Sequence, residues 1–433
     1  MKNRYLVVTV ALLSLSLAGC PPKSEKGGAA GGTGKSGNGN EILVGEYGSL
    51  TGSEATFGTS THNGITLAMD EVNAAGGVLG KQIKVSTEDD QSKSEEAASA
   101  VTKLISQTGV VAVLGEVASS SSIAAAPVCQ SSKVPMISPS STNPTVTQKG
   151  DYIFRMCFID PYQGPVMAEY IVNTLKKKRV ALLTDNRSDY SRGLGEAFSG
   201  RFTQLGGQLV ITQSYSKGDS DFRSQLTAIK AANPDVIYVP GYYNDIGQIA
   251  SQARDLGMTQ PLAGGDGWES PKLIEIGGKA LEGCFYSNHY YADDPTPAVR
   301  NFVQKYKDRF GQTPDALAAL GYDAAKVLAD SIKRAGKTDG PSLRDAIAQT
   351  KGFSGVTGTI TLGPDRNPVG KKIVIVGIEN GRLALRSTID PSAQNGGGAT
   401  ASATTSTTST ATSTAPVRAT ATSATTTAAT ATH

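Results

Sequence analysis

The sequence is poor in the residues that most often carry metal and redox chemistry. It has three histidines, His62, His289 and His433, too far apart to fit a metal-ligand spacing. It has one tryptophan and four cysteines. Neither sign of charge dominates: 41 Lys and Arg face 38 Asp and Glu, which gives no reason to expect a nucleic-acid partner. Enzyme signatures are missing as well. No P-loop, Gly-x-Ser-x-Gly elbow or His-Glu-x-x-His occurs, and the nearest approach to a dinucleotide loop, Gly193-Leu194-Gly195, lacks its third glycine. With no nucleophile–base pair visible, neither an enzyme nor a cofactor is expected.

What is present begins at the N-terminus. Lys2 and Arg4 precede a short apolar run, Leu6 to Leu13, that is too short to span a membrane comfortably. It ends in Leu17-Ala18-Gly19-Cys20, which resembles the bacterial lipobox. That resemblance implies cleavage before Cys20 and lipidation of its thiol, so that a lipid tethers an exported body to a membrane. An ordinary secretory signal is the alternative, and it leaves the mature chain outside the cytoplasm too. Cys129, Cys157 and Cys284 remain. An odd number in an oxidising compartment leaves at least one unpaired. Cys157 and Cys284 are positioned to pair or to stay buried as small apolar thiols.

Residues 21–40 are rich in Gly, Ser, Lys and Ala without periodicity, the composition of a flexible linker. From 391 to 433 the chain is dominated by Ala, Thr and Ser and offers no core. Between them, short apolar runs alternate with helical spacing. Glu41–Gly45, Ile83–Val85, Val110–Leu114 and Val134–Ile137 read as strands separated by helices. The alternation restarts with Val180–Leu183, Gln208–Ile211, Asp235–Val239 and Pro261–Ala263. This predicts two α/β lobes, each Rossmann-like, with a mostly parallel sheet covered on both faces.

In such sheets ligands bind beyond the carboxyl ends of the strands. The loops that follow the expected strands are hydroxyl-rich there. One is Gly115 to Ser122, with four consecutive serines before a helix, and the other is Ser138-Pro139-Ser140-Ser141-Thr142. Hydroxyls and free N–H groups at a helix start suit a carboxylate. A plain Ser N-cap explains one serine of the run but not four.

The order and spacing of several stretches resemble the branched-chain amino-acid-binding proteins of bacterial ABC importers, the Leu/Ile/Val-binding type. They include Glu71 to Gly77, Gly115 to Ser122, Asp160 to Pro165, Gly241 to Gln248 and Gly264 to Gly267. The resemblance covers about 42 to 388. It implies the type I periplasmic-binding-protein fold, with two lobes joined by a three-crossing hinge. The implied division is 1–20 signal peptide, 21–40 linker, 41–157 and 285–360 first lobe, 158–284 and 361–390 second lobe, and 391–433 tail.

It also implies a site. Ser119, Ser140 and Thr142 would hold the ligand carboxylate and amine from the first lobe. Tyr190 and Asp266 would face the ammonium from the second, and Phe57 and Tyr242 would form an aromatic wall with Trp268 nearby in sequence. Asp266 stands where the Leu/Ile/Val binder has Glu. Ser92 and Ala118 stand where that binder has a first-lobe disulfide, so this bridge is absent. The function implied is capture of a small amino acid, aliphatic or branched-chain, for delivery to a membrane permease. A sensor or receptor of the same fold, or a binder of urea or short amides, is the alternative.

Overall fold

The computed structural model describes residues 39–390. The signal segment with Cys20, nearly all of the linker and the tail 391–433 lie outside the described residues.

Five apolar runs become strands β1 (Glu41–Gly48), β2 (Gln82–Asp89), β3 (Val113–Leu114), β4 (Met136–Ser138) and β5 (Ile153–Arg155). All pair in parallel, in the order β2-β1-β3-β4-β5. Parallel neighbours require crossover helices, which cover both faces, so β3, β4 and β5 are buried at every position while the edge strand β2 is not. A second sheet repeats the winding with β6 (Arg179–Asp185), β7 (Gln208–Tyr215), β8 (Val236–Tyr238), β9 (Leu262–Gly264) and β10 (Phe285–Asn288) in the order β7-β6-β8-β9-β10. A small hairpin, β11 (Phe353–Gly355) with β12 (Gly358–Ile360), stands apart. Finally β13 (Ile373–Glu379) and β14 (Arg382–Ile389) extend the second sheet antiparallel from β10. Each sheet therefore has a point where the winding reverses, at β1/β3 and at β6/β8, and a crevice opens there.

The expected boundary at residue 285 is corrected by this topology. Phe285–Asn288 belongs to the second sheet, pairing in parallel with β9 and antiparallel with β13. The repeated winding needs a fifth strand beside β9, and without it β13 would have no edge to join. Cys284 accordingly sits inside the second lobe, where its sulfur lies 3.4 Å from the amide of Leu262. Cys129, Cys157 and Cys284 are all buried free thiols.

The chain passes between the lobes at 156–159, at 289–296 and at 361–372. The passages run side by side. Phe158 of the first stacks on His289 of the second with centroids 3.7 Å apart, and the Lys371 ammonium of the third acts on both Cys157 and His289.

After the second passage, helices Pro297–Phe310, Ala316–Ala335 and Gly340–Ala348 return to the first lobe. The Ala316–Ala335 helix starts where the Asp315 side chain accepts from Ala318 N and stops at Gly336 in the left-handed conformation. Its Leu320, Leu328 and Ile332 pack in one cluster with Ile65 and Met69 of helix Ala55–Ala74. Burying each such side chain stabilises by about 1.5–3 kcal/mol. The two helices cross closely because Gly64 has no side chain: a Cβ there would lie 2.0 Å from the Ala318 carbonyl oxygen. Among the described residues no helix is long and apolar enough to cross a membrane.

Candidate functional site

The strand ends at both switch points open toward each other, and the loops that follow them meet across a cleft. On the first lobe the serine run divides its labour. Ser122 Oγ lies 2.8 Å from Ser141 Oγ, and Ser138 and Ser141 both donate to the Glu116 carbonyl, at 2.7 and 2.9 Å. These three hydroxyls knit the two loops together. Arg155, fully buried, clamps the second loop from behind by donating to the carbonyls of Ser141 and Asn143.

What this scaffold presents is different. Ser119 opens helix Ser119–Ser132 with no side-chain cap on its first turn, so the N–H groups of that turn and the positive end of the helix dipole are available to an anion. The Ser119 hydroxyl accepts only a long 3.3 Å bond from Asn143 N. Among the described residues the Ser140 hydroxyl is buried without a partner, and the Thr142 hydroxyl is buried with only the Asp160 carboxyl beside it. Buried hydroxyls of that kind cost free energy unless a ligand meets them.

On the second lobe a carboxylate is held by neutral donors. Asp266 Oδ1 accepts from Gln163 Nε2 at 2.8 Å and Tyr190 OH at 3.0 Å, and His289 Nε2 lies 2.9 Å from Oδ2. Burial pulls His289 below its ordinary pKa against the opposing pull of Asp266, so the ring is neutral near pH 7. No Lys or Arg pairs with Asp266 among the described residues. The site thus keeps one negative charge in search of a cation.

Gly267 N donates to Tyr190 OH at 3.0 Å. Position 267 must be glycine, because a Cβ would come within 2.9 Å of both the Tyr190 and Tyr242 rings. Those rings stack, with centroids 5.3 Å apart and planes at 4°, and Phe57 meets Tyr242 edge-on at 5.4 Å.

All seven residues expected from the sequence, Phe57, Ser119, Ser140, Thr142, Tyr190, Tyr242 and Asp266, line one cavity, with Val117, Gly267 and Leu317 completing its wall. The cavity is small and nearly shut, with a volume of about 10 Å³. That is below the ~300–1,000 Å³ usual for drug-sized ligands. Trp268 is not part of it: the ring is fully buried in the second lobe and its Nε1 donates to the Val239 carbonyl at 2.9 Å.

Sequence reasoning missed four residues that shape the site. Gln163 and His289 position Asp266, and Leu317 supplies apolar wall. Asp160 lies fully buried beside Thr142, with neither carboxylate oxygen in a hydrogen bond of good geometry. Burial raises its pKa to about 8, reinforced by Asp266 and opposed by Thr142 and Arg155. A signal for His289 existed: it directly follows β10, and the carboxyl-end rule flags it once 285–288 is counted in the second sheet.

The lobes are closed on each other. Lys217 Nζ reaches Glu54 Oε2 at 2.6 Å and the Ser92 carbonyl at 2.9 Å, Tyr243 OH donates to the Ser53 carbonyl at 2.9 Å, and Ser120 Oγ donates to Asp189 Oδ2 at 2.9 Å.

Comparison with known proteins agrees with the two-lobe fold. A family model described as periplasmic binding protein matches residues 41–382. An amino acid binding protein of Pseudomonas aeruginosa is 32% identical over 304 residues, 69% of this chain and 80% of the relative. A Leu/Ile/Val-binding protein homolog of Brucella melitensis is 30% identical over 325 residues, 74% of this chain and 87% of the relative. Among solved structures, a leucine binding protein of Thermotoga maritima superposes with a TM-score of 0.78 at 40% identity, covering 81% of this chain and 99% of that one. The branched-chain amino acid transporter substrate binding protein of Streptococcus pneumoniae, in complex with isoleucine, gives 0.77 at 34% identity, covering 81% and 100%. A solute binding protein of Rhodopseudomonas palustris in complex with 3,4-dihydroxybenzoic acid gives 0.73 at 27%, covering 81% and 98%.

Proposed function

Because this chain belongs to the periplasmic binding protein family, it is a solute-binding protein and not an enzyme, and we propose that its solute is a branched-chain α-amino acid. The observation that carries the reading is the division of charge across the cavity. One wall offers a helix N-terminus and buried hydroxyls, the other a carboxylate without a cation, and the remainder is apolar. A zwitterion matches both ends at once, and burying either of its charges unmatched would cost several kcal/mol. The apolar surfaces of Phe57, Val117 and Leu317 in the cavity lining suit an aliphatic side chain. A benzoate-type acid, as held by the Rhodopseudomonas relative, lacks the ammonium that Asp266 calls for, and so does urea.

In this reading the open cleft takes the amino acid on one lobe and closes by bending at the three passages. The closed form then docks to the permease of an ABC importer. Lipidation at Cys20 would hold the body at the membrane surface, with residues 21–40 as tether.

The test is a thermal-shift and calorimetric screen of the common amino acids, benzoate and urea. A ligand at about 100 times its dissociation constant adds roughly 2.7 kcal/mol of stability. Leucine, isoleucine and valine should stand above the rest. Stabilisation by benzoate or urea, with none by the aliphatic amino acids, overturns the reading. For the anchor, Cys20→Ala should move the protein from the membrane fraction to the soluble one, and a variant that stays membrane-bound after a salt wash removes Cys20 as its site.

A further inference from the structure

A second cavity lies back to back with the first and shares its walls. Three chain segments serve both. On helix Ala55–Ala74, Phe57 faces the first cavity and Ser60 the second. At the start of helix Ala316–Ala335, Leu317 faces the first and Asp315 the second. In the turn after β9, Gly267 faces the first and Glu269 the second. The second cavity is much the roomier, with a volume of about 480 Å³, within the ~300–1,000 Å³ typical of small-molecule sites.

We propose that this cavity is a second binding site, for a small organic cation of the primary-amine class, held between Glu269 of the second lobe and Asp315 of the first with the Tyr290 hydroxyl as a further acceptor. Both carboxylates are met only by neutral donors. Glu269 accepts from Tyr286 OH at 2.5 Å and Ala316 N at 3.1 Å, and Asp315 from Ser60 Oγ at 2.5 Å and Ala318 N at 2.9 Å. No Lys or Arg pairs with either among the described residues. The helix cap accounts for one oxygen of Asp315, but nothing within the fold accounts for Tyr290. That residue is 4% exposed, lines the cavity, and its hydroxyl has no hydrogen-bond partner among the described residues.

Two neighbouring buried acids without a counter-charge repel each other. Burial raises the Glu269 pKa, and Asp315 raises it further. A bound ammonium relieves both effects. The rest of the lining favours an organic cation over a metal ion. Tyr290, Tyr291 and Tyr306 line it with aromatic rings, a type of group that attracts ammonium ions, and Ile274 and Leu383 offer apolar surface. No group of three metal-ligating side chains exists among the described residues.

Because Glu269 and Asp315 come from different lobes, an amine between them favours the closed arrangement, and it steadies the three segments that wall the first cavity. Amine and amino acid should therefore strengthen each other's binding by the same factor. That coupling, but not the site itself, rests on the function proposed above.

The test is calorimetric titration of the whole protein with 1,4-diaminobutane, with 1,4-butanediol at matched ionic strength as the neutral control. The diamine should bind saturably and the diol should not. Glu269→Gln should weaken the diamine at least tenfold and Tyr290→Phe severalfold, each without a fall in melting temperature. Leucine affinity should rise in saturating diamine. If the diamine gives no saturable heat beyond the diol, or if its affinity is unchanged in both variants, the site does not exist. A protein that binds diamine but no amino acid leaves this site standing and removes the assignment of the first.

Discussion

Lys217 extends from the second lobe to set its ammonium 2.6 Å from Oε2 of Glu54 on the first, where the Glu54 side chain is 3% exposed and the lysine 33%. The pair exists only while the lobes are shut, since opening returns both charges to water. Lys217→Gln should therefore favour the open form. Charge-assisted hydrogen bonds contribute about 1.5–3 kcal/mol, less when partly exposed, so a loss of roughly tenfold in amino-acid affinity is expected, mainly through faster release. Stopped-flow release kinetics check this, and unchanged release would show that the pair does not hold the lobes.

Asp266→Asn removes the counter-charge while keeping the shape. The new amide can turn its nitrogen toward His289, whose neutral ring accepts in its other tautomer. Affinity for leucine should fall by about 2–5 kcal/mol, as when one partner of a desolvated pair is truncated. Affinity for the corresponding 2-keto acid should change little, because it has no ammonium to strand. Calorimetry with both ligands separates the charge from general damage; equal losses for the two would mean damage.

Leu317→Ala should enlarge the apolar end. Leucine and isoleucine lose buried contact, at a cost of about 1.5–3 kcal/mol, while phenylalanine should gain relative to both. A screen in which the ranking of the amino acids stays fixed would put Leu317 outside the specificity wall.

Stability of the ligand-free protein should fall as pH rises from about 5 to about 8. The sign follows from the buried acids. Burial raises Asp160 to about 8 and Asp245 to about 7, and pushes Glu116 up as well, with the Asp90 charge adding to it. Between the ordinary carboxylate range and these values the folded chain holds protons that the unfolded chain has lost. The stabilisation is full below the ordinary range and disappears as pH passes the raised values. Asp160→Asn should flatten part of this slope in thermal melts, and an unchanged slope would show that Asp160 does not titrate there.

Much of this was legible in the residues, for identifiable reasons. Strands such as Val180–Leu183 are buried on both faces and therefore read as unbroken apolar runs. Cavity hydroxyls such as Ser140 and Thr142 directly follow a strand, where the carboxyl-end rule looks. What was not legible depends on distance along the chain. The division of the serine run into Ser122, which ties loops together, and Ser119, which faces the cavity, is set by a turn whose geometry composition does not encode. Leu317 is an ordinary helix residue until the return helix docks beside Phe57. Phe285–Asn288 is too short to announce its sheet, and assigning it to the wrong lobe concealed His289 as well.

The three side-by-side passages between the lobes have a mechanical consequence. A single linking segment would let two bodies swing, twist and slide. Three parallel segments, tied by the stack of Phe158 on His289, leave little besides rotation about one axis. The lobes then have in effect one coordinate, an angle, and whatever fills the cavity is reported to the outside as a value of that angle. Solutes that differ by a methyl group would set nearly the same angle, so the choice among them would be made inside the cavity and not by the shape of the outer surface.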